Sequence, residues 1–172
     1  VVKVINNTEL VVRRGRGYSP YSLNLEVYDE ILALGSEEKG NFSLSQNGYG
    51  YLSQYLGDLK NYDTYLNYIK VIEHFKKLMG VNPEIIAYDL QSEPTYKGKK
   101  QVLIQHHHAH MVSCMAEHGL YDKVIGVIFD GTGLGTDGTI WGGEILIGNR
   151  EQFIRVAHFK NVLIQGGNSA IR

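Results

Sequence analysis

An α/β architecture is expected from three features of the sequence. Strand-like runs at 31–35, 41–45 and 49–52 follow one another closely, with Asn47-Gly48 as a hairpin turn between the last two. A helix-period segment at 63–79 leads into an apolar strand-like run at 85–90, the arrangement of a crossover connection. A second helix-like segment begins at His106 and leads into the apolar run Val124-Ile125-Gly126-Val127-Ile128-Phe129, after which a glycine-rich turn returns the chain to a further strand. The expected layout is a three-strand antiparallel start, then helix crossovers, then the opening β-hairpin of a second subdomain.

The elements follow in order. Val1, Val2, Val4, Ile5, Leu10, Val11 and Val12 alternate weakly around Asn6-Asn7, which reads as a hairpin or the end of a preceding domain. Arg13, Arg14 and Arg16, with glycines between, suit either a bidentate clasp on phosphate or carboxylate or a solvated linker. Pro20 and the residues after it mark a boundary near residue 25. Ile31 to Gly35 suits a buried central strand, and Glu37-Glu38-Lys39 a charged hairpin turn. In the helix, Tyr65, Ile69, Ile72, His74, Phe75, Leu78 and Met79 fall near a 3.6-residue period, with Asp63 as N-cap and Gly80 as the stop. His74 is expected on or beside the apolar face. Asp89 closes the strand at 85–90, either as a site carboxylate or as a strand-end cap. Residues 91–100 read as a loop and Val102 to Ile104 as a short strand. Ala109, Val112, Met115 and Ala116 form an apolar stripe on the second helix, which Gly119 ends, and Cys114 is expected to be a small buried group. Val124 to Phe129 reads as a fully buried strand, followed by return strands at 139–147 and 152–159.

Composition narrows the function classes. The 172 residues are 43% hydrophobic and 20% charged with a net charge of -1, so no general basic field points to nucleic acid or an anionic membrane. A single cysteine, Cys114, forbids an internal disulfide and suits a reducing compartment. No apolar run is long enough to span a bilayer, and no signal-peptide pattern opens the chain. The start at Val1 and the end at Arg172 read as cuts, so the chain is expected to be a piece of a longer protein.

Two stretches carry the chemistry. In Gln105-His106-His107-His108-Ala109-His110, His106 and His110 are four apart, which puts two imidazoles about 5–6 Å apart at Cβ on one helix face. Such a pair can share one metal ion, and the lack of a glutamate after His106 disfavours a zincin-type protease. His107 and His108 point to other faces, one as a supporting or substrate-contacting group and the other exposed. Asp130, at the end of the following buried strand, would complete a His-His-carboxylate set suited to Zn²⁺ or Fe²⁺, with Mg²⁺ more natural beside a nucleotide. Gly133-Leu134-Gly135-Thr136-Asp137-Gly138 formally matches a dinucleotide fingerprint, but that fingerprint must open a helix and here a strand follows. It is read as a glycine-rich hairpin turn whose backbone amides can approach phosphate.

These motifs, with Met115-Ala116-Glu117-His118-Gly119 and Trp141-Gly142-Gly143-Glu144, closely resemble the HypF family of hydrogenase-maturation carbamoyltransferases. Arg13-Arg14-Gly15-Arg16-Gly17-Tyr18, Ile31 to Gly35 and Tyr51 to Leu59 share the resemblance, which covers nearly the whole chain. It implies the first half of a C-terminal domain with an actin-like ATPase (ASKHA) fold, related to the tRNA threonylcarbamoyl-transferase family. Residues 1–25 would be a linker from a preceding domain, 26–120 the first actin-like subdomain, and 121–172 the start of the second. The implied metal ligands are His106, His110 and Asp130. The implied nucleotide-phosphate region is Gly131, Thr132, Gly133, Gly135, Asp137 and Gly138, with His107, Gly142, Gly143 and Glu144 as supporting or substrate-contacting residues.

The resemblance further implies a cytoplasmic, ATP-dependent enzyme that makes carbamoyl-adenylate from carbamoyl phosphate and ATP. The carbamoyl group then passes to the C-terminal cysteine of HypE, for the cyanide ligand of [NiFe]-hydrogenase. The family's acylphosphatase-like, zinc-finger and adenylate-forming parts are not in this chain, so the fragment alone is expected to be inactive. A tRNA threonylcarbamoyl-type transferase and a non-catalytic metal- or nucleotide-binding module are the alternatives.

Overall fold

The computed structural model describes residues 1–93, 96, 98 and 100–162. The loop expected at 91–100 and the end of the expected second subdomain lie partly outside the described residues. The chain divides into two compact units, Val1–Leu103 and Ile104–Arg172.

The first unit opens with a hairpin of β1 (Val2–Ile5) and β2 (Thr8–Val11), closed by Asn6 and Asn7 at φ 48° and 62°. Asparagine tolerates this left-handed turn better than most residues. A six-stranded sheet follows, in the order β3-β6-β5-β4-β7-β8. Its strands are β3 (Tyr21–Val27), β4 (Ile31–Leu34), β5 (Phe42–Gln46), β6 (Gly48–Leu52), β7 (Ile85–Asp89) and β8 (Lys100–Ile104). β3 pairs with β6 and therefore begins the sheet before the boundary expected near residue 25, which falls inside this strand. Its residues Tyr21-Ser22-Leu23-Asn24-Leu25 do alternate, but the preceding Ser19-Pro20 masked the signal. The Asn47-Gly48 turn forms as expected, at φ 52° and 87°. β4 is central and pairs with β7 in parallel, as the crossover through helix α1 (Tyr62–Met79) requires.

α1 is held by burial more than by propensity. Tyr68, Ile72 and Phe75 share one stripe and pack on Leu32, Phe42, Leu44 and Ile86. Fully burying a large apolar side chain contributes about 1.5–3 kcal/mol, well above the few tenths that helix propensity adds per residue. Phe42 meets Tyr68 and Phe75 edge-to-face at 5.8 and 5.2 Å. The buried Tyr68 hydroxyl donates to Asn41 O at 3.0 Å, and its burial pushes the phenol pKa up. Two details differ from expectation. The N-cap is Asn61, whose Oδ1 accepts from Thr64 N at 3.0 Å, not Asp63. Leu78 and His74 are exposed, while Tyr68 takes the core position, because the stripe runs through 68, 72 and 75. Gly80, at φ 67°, ends the helix as expected.

Arg13 and Arg14 stack over Tyr55 and Tyr21, at 5.1 and 4.0 Å from the ring centroids. Both guanidinium groups are thus engaged with aromatic faces. Asp89 acts as a strand-end cap, its Oδ1 accepting from Gln91 N at 2.8 Å.

The second unit is a three-stranded antiparallel sheet, in the order β11-β10-β9, with helix α2 (His106–Glu117) against one face. The strands are β9 (Val124–Leu134), β10 (Ile140–Gly148) and β11 (Phe153–His158). Its core is Met111, Met115, Ile128, Trp141 and Leu146. β9 is not buried on both faces as its apolar run suggested. Ile125, Val127 and Phe129 are 69%, 56% and 74% exposed, so only alternate residues face the helix. Ala109 and Cys114 also lie at the exposed side of α2, because the inward stripe is His107, Met111 and Met115.

Candidate metal centre

α2 begins where Gln105 folds back over it. The Gln105 side chain caps the helix, with Oε1 accepting from His108 N at 2.8 Å, and its Nε2 donates to Leu134 O at 3.3 Å. This glutamine is 7% exposed and ties the first helical turn to the end of β9. His106 and His110 then lie one turn apart on one face, with Nε2 atoms 3.2 Å apart.

Asp130 does not end a strand, as the sequence suggested, but sits within β9 at a bulge. Gly133 pairs with Trp141 and Phe129 with Gly143, so Asp130, Gly131 and Thr132 stand opposite Gly142 alone. The extra residues bend β9 and aim the Asp130 side chain at α2. Its Oδ1 accepts from Gly131 N at 2.9 Å, while Oδ2 lies 3.1 Å from His106 Nε2 and 3.9 Å from His110 Nε2. Oδ2 is buried and accepts no hydrogen bond. A buried acceptor without a donor costs about 1–3 kcal/mol, more when charged. One ligand atom from each of His106, His110 and Asp130 lies within 4.8 Å of the others, a set that fits one divalent cation and would satisfy that oxygen.

Neither of the other two histidines is exposed. His107 is fully buried, its Nε2 3.0 Å from Gly142 O. His108 is half-buried, with Nε2 2.9 Å from Asn149 O and its ring against Phe153 at 4.7 Å.

The glycine-rich segment is less open than expected. Gly131, Thr132 and Gly133 belong to β9, and the turn proper occupies 135–139. Gly131 N donates to Asp130, Gly138 N to Gly135 O at 3.1 Å, and Gly135 N to Thr139 O at 2.8 Å, so these amides are used within the chain. Gly133 and Gly135 are tightly packed: added β-carbons would lie 2.7 Å from His107 Cε1 and 1.9 Å from Trp141 Nε1. Of the four glycines in this segment, only Gly131 and Gly138 have open space beside them, Gly138 with φ 76°.

Asp137 and Glu144 serve this turn. Asp137 Oδ1 accepts from Thr139 N, Thr139 Oγ1 and Trp141 Nε1 at 3.0, 2.7 and 2.9 Å, and Oδ2 meets Arg155 Nη1 at 3.1 Å. The Thr139 hydroxyl and amide, then Trp141 and Arg155, hold the Asp137 pKa down to about 2. Glu144, 2% exposed, receives Arg155 Nε and Nη2 at 2.6 and 3.0 Å and Gly142 N at 3.1 Å. Arg155 also lies over the Trp141 ring at 4.3 Å. No motif in the sequence marks Arg155. A lone arginine among the apolar residues Phe153, Ile154, Val156 and Ala157 was the available signal.

Both parts of the chain match known proteins. The HypF Kae1-like domain model matches residues 26–117, and the model of the second subdomain of the carbamoyltransferase Kae1-like domain matches 126–172. The chain is 37% identical to carbamoyltransferase HypF of Synechocystis sp., covering 100% of this chain and 24% of that protein. It is 34% identical to carbamoyltransferase HypF2 of Cupriavidus necator, covering 94% and 21%. A crystal structure of full-length HypF in a phosphate- and nucleotide-bound form superposes with a TM-score of 0.85 at 41% identity, covering 92% of this chain and 26% of that one. The chain therefore spans about a quarter of the length of these relatives. On this fold, an actin-like ATPase type, and these matches, the chain belongs to the HypF Kae1-like domain family.

Proposed function

We propose that this chain is the metal-bearing part of a carbamoyltransferase of [NiFe]-hydrogenase maturation. The observation that carries the proposal is the meeting of His106 Nε2, His110 Nε2 and Asp130 Oδ2, with Oδ2 buried and undonated. Similarity to proteins named carbamoyltransferase HypF supports the reaction class. In this reading ATP and carbamoyl phosphate yield carbamoyl-adenylate with release of phosphate and pyrophosphate, and the carbamoyl group passes to the C-terminal cysteine thiolate of HypE with AMP leaving. The setting is cytoplasmic, in keeping with a lone cysteine. Among the described residues no helix is long and apolar enough to cross a membrane.

The cation is zinc or iron, and magnesium enters with the nucleotide. When bound, it supplies a Lewis acid at a carbonyl or phosphoryl oxygen. The chain's own residues do the rest. His106 and His110 each offer a ring lone pair from one rigid helix turn. The positive end of the α2 dipole disfavours a cation here by about 0.3–1 kcal/mol, and the Asp130 charge offsets that. Gly131 N–H holds Oδ1, leaving Oδ2 to face the imidazoles. The same helix end favours an anionic substrate, and Gly131 and Gly138 leave room beside the backbone for one, although their amides are already used within the chain.

Elemental analysis of the complete polypeptide and its His106→Ala/His110→Ala variant tests this reading. Near-stoichiometric zinc or iron at this site, lost in the variant together with ATP-dependent carbamoyl transfer to HypE, is expected. Equal metal in both proteins, or undiminished transfer by the variant, would overturn it.

A further inference from the structure

We propose that His107 is a positioning residue that fixes the β9–β10 bulge and, through it, the reach of Asp130 toward His106 and His110. The proposal rests on the metal reading of the site given above. It concerns a residue that neither faces the cation nor touches substrate.

His107 is 0% exposed and lies between the two ligand histidines in sequence, turned about 60–100° around α2 from them. A carbonyl oxygen only accepts, so the 3.0 Å contact with Gly142 O requires the hydrogen on Nε2. Nδ1 is then an acceptor, and Gln105 Nε2 stands 3.4 Å from it. Both ring nitrogens are used, which removes His107 from the ligand set. It also gives the ring a defined tautomer and orientation.

The partner is what gives this contact its meaning. Gly142 is the single residue opposite Asp130, Gly131 and Thr132. Its carbonyl is held by His107 and its amide by Glu144 Oε1 at 3.1 Å. Both backbone polar groups at the bulge are therefore fixed by buried side chains, one from α2 and one from β10. On the facing strand, Gly133 leaves the space that the imidazole fills, since a β-carbon there would lie 2.7 Å from Cε1 and 2.8 Å from Nδ1. The ring thus sets how closely β9 approaches the first turn of α2, and that approach places Asp130 Oδ2 3.1 Å from His106 Nε2. Without the Nε2–H donor, the Gly142 carbonyl would be unsatisfied and the bulge free to relax.

His107→Leu removes the donor while keeping apolar bulk, and His107→Gln keeps an N–H donor at similar reach. His107→Asn, too short to reach Gly142 O, replaces the leucine variant if that one does not fold. Zinc(II) affinity is read by chelator competition on the complete polypeptide, with the His106→Ala/His110→Ala variant isolating this site. Thermal midpoints and crystal structures are recorded alongside. The expected result is a loss of zinc affinity of about 10–100-fold in the donor-less variant, largely recovered by glutamine. In the crystal, Asp130 Oδ2 should draw back from His106 Nε2 by about 1 Å in the donor-less variant only. A purely structural histidine would lower the thermal midpoint without the recovery in affinity. Unchanged zinc affinity, or Asp130 and Gly142 unmoved in the crystal, would overturn the proposal. A parent that binds no zinc here defeats the metal reading instead, and the crystallographic comparison then decides the role of His107 by itself.

Discussion

Gly133 and His107 are in contact to the limit that backbone and ring allow: one β-carbon on Gly133 would stand 2.7 Å from the imidazole. The ring is fully buried and fixed by Gly142, so it has little room to yield. Gly133→Ala should therefore destabilise the fold by about 1–3 kcal/mol, the usual cost of overpacking a close-packed interior. Gly131→Ala has nothing within 4 Å of the new methyl and should stay within about 0.5 kcal/mol of the parent. Guanidinium unfolding midpoints of the two variants check the contrast.

The pH dependence should carry the signature of Asp137. Its carboxyl is held down from 3.8 to about 2, first by the Thr139 hydroxyl, then by the Thr139 amide, Trp141 and Arg155. A group whose folded pKa is depressed stabilises the fold fully above its unfolded pKa and loses that contribution as pH falls through the folded value. The thermal midpoint of the parent should thus exceed that of Asp137→Asn at neutral pH, and the gap should close between about pH 4 and pH 2. A gap that stays constant across that range would show that the carboxylate charge plays no part.

Removing Glu144 should harm the fold more than removing Asp137. Glu144 is almost wholly buried, and its loss leaves Arg155 Nε and Nη2 and the Gly142 amide without their acceptor, with only Nη1 still paired to Asp137. Breaking a buried pair from one side costs about 3–5 kcal/mol, and the partial exposure of Arg155 puts Glu144→Ala near the lower end. Urea denaturation would measure it, and Glu144→Ala/Arg155→Ala should recover part of the loss.

In the first unit, Asn61→Ala should cost about 1 kcal/mol by removing the cap on α1, while Asp63→Ala should cost less. Chemical denaturation of the two variants would identify the cap.

Local regularities in the sequence were enough to expect much of this. The four-residue spacing of His106 and His110 fixes their shared face on any α-helix. Asn47-Gly48 requires left-handed backbone that few other pairs adopt. The crossover through α1 fixes the parallel pairing of β4 and β7. What escaped depends on contacts distant in sequence. Asp130 looked like a strand end because a bulge leaves no mark in the hydrophobic pattern. Gly133 and Gly135 looked like a phosphate cradle, yet His107 and Trp141 fill the space beside them. Val124 to Phe129 looked buried on both faces because apolar residues at every position cannot reveal which side is covered.

That last strand has a practical consequence. Ile125, Val127 and Phe129 share the outward side of the sheet with Ile154, and the rings of Phe129 and Phe159 stack there at 5.7 Å. Water must order itself around this contiguous hydrocarbon, and a fluorescent dye that brightens in apolar surroundings should light up on the native protein before any unfolding occurs. Such a signal would otherwise be mistaken for a molten globule.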